Sequence, residues 1–390
     1  MKKPIFTLLS LLLALLFALC ACSKSDVVPT SPAAPDAKNT SRTDGGGSDF
    51  LTVTDMLGRT VNVPKDISRP VCIGAGSLRL YSYIGDMSKL VGVEQCEKGF
   101  LISARAYRYA YGSLFDSLPS VGAGGPQGTA DAEALMSVSP DVIFAIYISL
   151  EASDFDELQK KTGVPVVVLS YGQTEAFDGD ITSSLRLMGK ILGREERAEK
   201  VCSYIDSLRD DLNSRTADID ENDKKSVYLG CLNKFGSHGI GSSTANYSLF
   251  DAVNANNVLD RAGYKGYQGS IDTETLLTLD PDVIILDAGG ISIFAEEYRK
   301  NTAAFDSLKA FKNGDVYVQM PYNAYYTNLE TAYADAYFIG KTLFPDRFAD
   351  INITDRLNEI SKELLGTACA EYIFETVGIE YGKLDTSALT

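Results

Sequence analysis

The chain has no tryptophan and a single histidine, His238, among its 390 residues. A histidine-rich cage for bare zinc or manganese is therefore impossible, because such sites draw on several imidazoles. Cysteine is sparse. Past Cys22 only Cys72, Cys96, Cys202, Cys231 and Cys369 remain, scattered, odd in number and without a Cys-x-x-Cys pair. That pattern argues against a disulfide framework or a zinc site, and the five read as small buried apolar side chains. Basic charge is short: 36 Lys and Arg stand against 52 Asp and Glu, for a formal net charge of -16. Nucleic acid and anionic lipid attract basic faces, so neither is a partner this composition supports. An anionic small ligand stays compatible, since a few arginines can dominate one cleft. The hydrolase and metalloprotease patterns Gly-x-Ser-x-Gly and His-Glu-x-x-His are absent, which leaves a chelatase- or hydrolase-like enzyme without support.

What is present begins with Met1-Lys2-Lys3, an almost wholly apolar run from Ile5 to Leu19, and Leu19-Cys20-Ala21-Cys22. A charged start, a short apolar core and small residues before a cleavage point describe a signal peptide, residues 1–21. The run falls short of the roughly 20 apolar residues that span a bilayer. The Leu-x-Ala-Cys ending resembles the bacterial lipoprotein box, which implies lipidation of Cys22. Residues 22–49 are rich in Ser, Thr, Pro, Ala and Gly, and read as a flexible tether.

The body carries a duplication. Asp131-Ala-Glu-Ala-Leu-Met-Ser-Val-Ser-Pro-Asp-Val-Ile-Phe144 aligns with Asp272-Thr-Glu-Thr-Leu-Leu-Thr-Leu-Asp-Pro-Asp-Val-Ile-Ile285, seven of fourteen positions being identical without a gap. In each copy Asp caps a helix, Glu sits in its first turn where the helix dipole favours it, and Asp-Val-Ile opens a buried strand. Apolar runs flank both copies, Pro70 to Gly74 and Val227 to Gly230 before them, Val164 to Leu169 and Asp315 to Met320 after them. Strands alternating with helices imply parallel sheets. The expected fold is α/β: two Rossmann-like lobes with parallel sheets, residues 50–178 and 223–350, and a ligand cleft between them. Residues 179–222 keep a helical apolar period without proline, which predicts one long rigid helix of about 35 residues, near 50 Å. Residues 351–390 read as a helical C-terminal addition. Ligands of such sheets bind beyond the carboxyl ends of the strands.

These features resemble the substrate-binding proteins of bacterial ABC importers, in the class that serves ferric siderophores, haem and cobalamin. Leu51 to Pro64 matches that family's first hairpin, Arg69 to Gly74 its first core strand, and Pro321 to Glu330 with Ala336 to Pro345 an iron-compound subgroup. The resemblance covers about residues 50–350. It implies a monomeric, non-enzymatic receptor without an intrinsic cofactor, held by lipid at the outer face of the cytoplasmic membrane. It would capture an iron chelate, most simply a ferric siderophore, or else haem or a corrinoid. It also implies delivery to a permease dimer with a cytoplasmic ATPase, docked through Glu133 and Glu274; the same two carboxylates also complement helix dipoles.

Candidate cleft residues follow from strand ends. Gly74-Ala-Gly-Ser77-Leu-Arg79 leaves a strand and opens a helix, with Glu94 twenty residues on. A dinucleotide reading fails, because Arg79 stands where the third glycine should be. The run reads instead as a glycine loop whose amides, Ser77 and Arg79 face an anionic ligand. Arg105, Tyr107 and Arg108 lie in a segment dense in Arg and Tyr, suited to flat rings and to carboxylates; packing within the lobe is the alternative. Tyr147, Lys234 and His238 follow other strands, His238 as an axial ligand or as a loop hydrogen-bonding group. Tyr322, Asn323, Tyr325 and Tyr326 form the densest candidate segment.

Overall fold

The computed structural model describes residues 49–99, 105–125, 129–147, 149–172 and 175–389. The expected signal peptide, Cys22 and all of the tether but Asp49 lie outside the described residues.

Strands β1 (Phe50–Thr54) and β2 (Thr60–Pro64) form an antiparallel hairpin. Its turn is built by Asp55, whose Oδ1 accepts the Leu57 and Arg59 amides at 3.0 Å. The same carboxylate takes the Val168 amide at 3.2 Å, and Arg59 donates to the Val166 carbonyl at 2.9 Å. The hairpin is thus bonded to β5 (Val166–Val168), the edge of the first parallel sheet, whose order is β3 (Pro70–Gly74), β4 (Val142–Ile146), β5. All residues of these three strands are buried. That is why they read as unbroken apolar runs: helices cover both faces of a parallel sheet.

The second sheet contains β6 (Ser226–Gly230), β8 (Asn256–Asn257), β10 (Val283–Asp287), β11 (Val316–Gln319) and β12 (Gly382–Lys383), in the order β12-β11-β10-β6-β8. Its pairs are parallel except β11 with β12. A small antiparallel ladder, β7 (Ser243–Thr244) with β9 (Tyr267–Gln268), lies beside it.

The duplicated units fold alike. Asp131 caps the Ala132–Ser137 helix by accepting the Ala134 amide at 3.0 Å, and Asp272 caps Thr273–Leu279 through the Thr275 amide at 2.7 Å. Each helix ends on a left-handed residue before proline, Ser139 at φ 45 and Asp280 at φ 38. The next aspartate then ties the neighbouring strand: Asp141 accepts the Ser68 amide at 2.7 Å, and Asp282 the Ser226 amide at 2.9 Å.

The single long linking helix is replaced by two. Gly179–Leu192 stops at Gly193, left-handed at φ 62, and Glu195–Ser214 runs back against it. Arg186 meets Glu199 at 2.8 Å, and the Cys202 thiol faces the Thr182 carbonyl at 3.5 Å. A Cβ on Gly189 would come within 2.4 Å of the Ala198 Cβ, so glycine there allows the close packing. The apolar period is real in both halves, but its two stripes face each other. The connector is therefore 20 residues, about 30 Å, rather than 35.

The C-terminal segment is helical only in part. Helices Ile353–Leu365 and Ala370–Val377 pack beside Ala106–Ser117 of the first lobe, where Tyr109 stacks on Tyr372 at 4.5 Å and Tyr111 donates to the Leu365 carbonyl at 2.9 Å. The chain then adds β12 to the second sheet and buries Leu389 in the second core.

Candidate functional site

At the end of β3, Gly74 (φ 75) passes so close to β4 that a Cβ would lie 2.0 Å from the Ile146 oxygen. Gly76 (φ 79) lies against the Tyr171 ring and opens the Ser77–Ile84 helix, all of whose residues are buried. Ser77 and Arg79 therefore do not face a ligand, contrary to the expectation from sequence. Ser77 donates to the Phe144 carbonyl at 3.1 Å. Arg79, with no exposed surface, reaches Asn328 Oδ1 at 3.1 Å and the carbonyls of Thr327 at 3.2 Å and Ala324 at 2.8 Å. Its guanidinium also lies 4.9 Å from the Tyr107 ring centre.

The segment 321–328, between β11 and the Leu329–Leu343 helix, is thereby fastened to the first lobe. Asn328 closes it by donating to the Tyr322 carbonyl at 2.8 Å. Asn323 bridges to Thr327 within the segment, and Tyr322 is buried beside Tyr247, not on the cleft surface. Tyr325 and Tyr326 are both left-handed, at φ 61 and 67. Such a conformation costs a non-glycine residue roughly 1–2 kcal/mol. It lays Tyr326 flat on Tyr171, with centroids 5.0 Å apart, and sets the Tyr325 ring 5.5 Å from the Arg105 guanidinium.

The Tyr325 hydroxyl accepts the Gly125 amide at 2.6 Å and the Cys96 thiol at 3.3 Å, and donates to Glu94 Oε2 at 3.4 Å. Glu94 also accepts the Gly74 amide at 2.9 Å and the Tyr147 hydroxyl at 3.1 Å. Burial pushes its carboxyl up to about 7, against those two hydrogen bonds. Tyr147, Tyr325 and Cys96 stay half-exposed, so this cluster meets solvent.

The Arg and Tyr segment turns inward. Arg105 pairs with Glu97 at 3.1 Å, and Tyr107 donates to Glu97 at 2.7 Å. Arg108 holds Asp116 at 2.9 Å. All three are buried. The cleft arginines expected from the sequence are committed to protein carboxylates and carbonyls.

In the second lobe Asp287, the last residue of β10, is wholly buried and accepts the amides of Asn233 at 3.2 Å and Gly289 at 2.8 Å. Burial pushes it up to about 7 as well. Lys234 lies 5.7 Å from the Tyr267 ring centre, beside Phe235, which is 82% exposed. His238 Nε2 is hydrogen-bonded to the Lys234 carbonyl at 2.9 Å, the loop role rather than a free axial ligand. Glu133 and Glu274 are exposed on the first turns of the two duplicated helices.

Of the expected residues, then, Tyr147, Tyr325 and Tyr326 gather at one place, while Lys234 and His238 belong to the other lobe. Sequence reasoning did not single out Cys96 or Gly125 and took Glu94 only as the acid of a rejected dinucleotide motif; the structure brings all three to the Tyr325 hydroxyl. The signal for Glu94 was its spacing from the glycine loop, which brings it back to the Gly74 amide instead of to a ribose. Among the described residues no group of three or more His, Cys, Asp and Glu is placed to hold a metal ion.

Two α/β lobes, with candidate residues beyond the strand ends of each, define a two-lobed binding-protein fold. The periplasmic binding protein family matches residues 71–322, and the chain belongs to it, among the substrate-binding proteins of ABC transporters. It is 20% identical over 334 residues to the molybdate-binding protein MolA of Haemophilus influenzae, covering 81% of this chain and 91% of that protein. MolA bound to molybdate superposes with a TM-score of 0.60 at 16% identity, covering 82% of this chain and 98% of that one. A periplasmic solute binding protein of Veillonella parvula gives a TM-score of 0.64 at 20% identity, covering 84% and 96%. An ABC transporter substrate-binding lipoprotein of Bacillus subtilis, YvrC, is 20% identical over 267 residues, 68% of this chain and 78% of that protein.

Proposed function

We propose that the protein is a lipid-anchored, non-enzymatic receptor that captures a chelated metal ion between its lobes, an iron chelate of the ferric-siderophore kind first among candidates. It hands this cargo to a permease dimer driven by a cytoplasmic ATPase. The observation that carries the reading is the oxygen-donor cluster of Tyr147, Tyr325 and Glu94 at the strand ends. Phenol and carboxylate oxygens are hard donors, suited to a hard ion such as ferric iron. The rings of Tyr325 and Tyr326 offer flat contact area for a catechol or a macrocycle. With one histidine in the chain, the metal has to arrive already wrapped.

Arg79, Arg105 and Arg108 are spent inside the fold, so the charge of an anionic chelate falls to Lys234 and to phenol and amide donors. Haem and corrinoid are the next candidates, and the engaged Nε2 of His238 weighs against axial ligation by that atom. Lipid on Cys22 holds the monomeric receptor at the outer face of the cytoplasmic membrane. Glu133 and Glu274, presented alike by duplicated helices, dock on the two halves of the permease.

Thermal unfolding of the full chain tests this, with a ferric siderophore, haem, cobalamin, molybdate and ferric ion added in turn. A cargo at 100 times its Kd adds about 2.7 kcal/mol and shifts the melt by several degrees. A shift with molybdate alone would overturn the iron reading in favour of an oxyanion.

A further inference from the structure

We propose that the C-terminal segment positions the cleft wall: Tyr381, acting through Asp335, fixes the point at which segment 321–328 leaves β11. This rests on the receptor reading above, with segment 321–328 as part of the cargo wall. It adds a positioning residue beyond the matched family region, which ends at residue 322.

Asp335 lies in the middle of the Leu329–Leu343 helix and has no exposed surface. Its Oδ1 accepts the Tyr381 hydroxyl at 2.7 Å and the Met320 amide at 3.2 Å, while Oδ2 meets no hydrogen-bonding partner among the described residues. Leaving one oxygen of a buried carboxyl unserved costs stability, and an apolar side chain of similar size would fill the space without that cost. What the carboxyl supplies is direction. Met320 immediately precedes the wall segment, so the bond to its amide sets where that segment starts. The wall needs such support. Tyr325 and Tyr326 hold left-handed backbone side by side, and strain of this kind persists only where the surroundings over-determine it. Arg79 supplies one anchor, through Ala324, Thr327 and Asn328. Asp335 supplies the other, at the residue before the segment.

The C-terminal segment brings Tyr381 to this place from the first lobe. Upstream, Tyr372 stacks on Tyr109 of the first-lobe helix. Phe374 meets the Tyr381 ring edge-on at 5.8 Å and Phe338 packs on it at 4.9 Å. Downstream, β12 pairs with β11, and the Leu384 amide donates to the Val316 carbonyl at 2.9 Å. The segment is thus a second tie between the first lobe and the strand that delivers the wall, independent of Arg79. Beside it lies a hollow of about 510 Å³, lined in part by Tyr317, Phe338, Lys341, Phe374 and Tyr381. This stretch is held by the Tyr381 ring, its hydroxyl and a two-residue strand rather than by dense packing, so loosening it leaves both cores in place.

Peptide-resolved amide hydrogen exchange on the full chain tests this, because the Met320, Ala324 and Asn328 amides are all hydrogen-bonded. Tyr381→Phe keeps the ring and loses only the hydroxyl. Exchange over residues 320–328 should rise at least tenfold beyond any change shared by β3 and β4. Asp335→Leu, which removes both bonds, should also lower affinity for the ferric complex of 2,3-dihydroxybenzoate at least fivefold, since affinity scales with the populated fraction of the competent wall. Asp335→Asn keeps an acceptor for both donors and should stay within twofold of wild type. Should Asp335→Leu fail to fold, exchange in Tyr381→Phe carries the test alone. Exchange over 320–328 that is unchanged in Tyr381→Phe, or raised by one factor throughout the chain, would overturn the proposal and leave the receptor reading intact. Full affinity in Asp335→Leu would do the same. A wild-type chain that binds no ferric complex would overturn the iron-chelate reading instead, and the exchange comparison would still decide whether Tyr381 positions the segment.

Discussion

The two lobes share a plan and differ at their facing ends. Both use a capping aspartate, a first-turn glutamate, a left-handed residue before proline, and an aspartate that ties the next strand. Both bury one carboxyl near the carboxyl ends of their strands, Glu94 in the first and Asp287 in the second, and burial raises each to about 7. Yet Asp287 receives only backbone amides, whereas Glu94 receives two tyrosine hydroxyls, one of them on a segment reached after β11. The first lobe also holds Arg79, buried and bonded to that same segment. The lobes share the scaffold and differ in their walls: the first lobe's buried carboxyl is bonded by two tyrosines, one of them carried by the segment after β11.

The largest way to break this comparison is Arg79→Ala. It removes a buried guanidinium from four hydrogen-bond acceptors and from the Tyr107 ring, and should cost on the order of 3–5 kcal/mol in thermal or denaturant unfolding. Lys234→Ala in the opposite wall should cost under about 0.5 kcal/mol. An equal loss for the two would show that segment 321–328 does not depend on the first lobe.

The buried carboxyls sharpen it next. A carboxyl whose folded value is raised prefers its neutral form in the folded state. Its contribution is full below the unfolded value, near 4, and is lost as pH rises through about 7. Unfolding free energy should therefore fall from pH 5 to pH 8 by roughly 3 kcal/mol per group. Glu94→Gln and Asp287→Asn should each remove one share of that slope. Only the first should also alter binding of the proposed cargo.

Glu133 and Glu274, the two glutamates proposed to dock, should behave symmetrically. Glu133→Ala or Glu274→Ala should weaken capture by permease-containing membranes about tenfold, roughly 1.4 kcal/mol, with cargo affinity unchanged. A loss confined to one of them would break the equivalence of the lobes at that surface. Smallest of all, Asp131→Ala and Asp272→Ala should each cost about 1 kcal/mol of stability as lost helix caps, read from paired thermal melts.

Much of the fold was legible because it rests on local rules. Buried parallel strands advertise themselves as apolar runs, and a capped helix followed by Asp-Val-Ile repeats wherever its unit repeats. The helical hairpin at Gly193 was not legible, since an apolar period records that a face is buried but not which partner covers it. The site was less legible still. Arg79, Arg105 and Arg108 looked like cleft charges by position, and all three proved to be internal fasteners. Glu94 looked like the remnant of a failed motif, and proved to be the centre of the cluster.

The sequence by itself determined the α/β class, the duplication and the pairs Asp131 with Asp272 and Glu133 with Glu274, because these depend on spacing within a few turns of chain. The tertiary structure alone decided which polar groups meet. Tyr325 reaches Cys96 across 229 positions and Arg79 reaches Asn328 across 249. No periodicity carries information over such distances; packing of one lobe's segment on the other sets the phase of each helix, and with it the direction every side chain points.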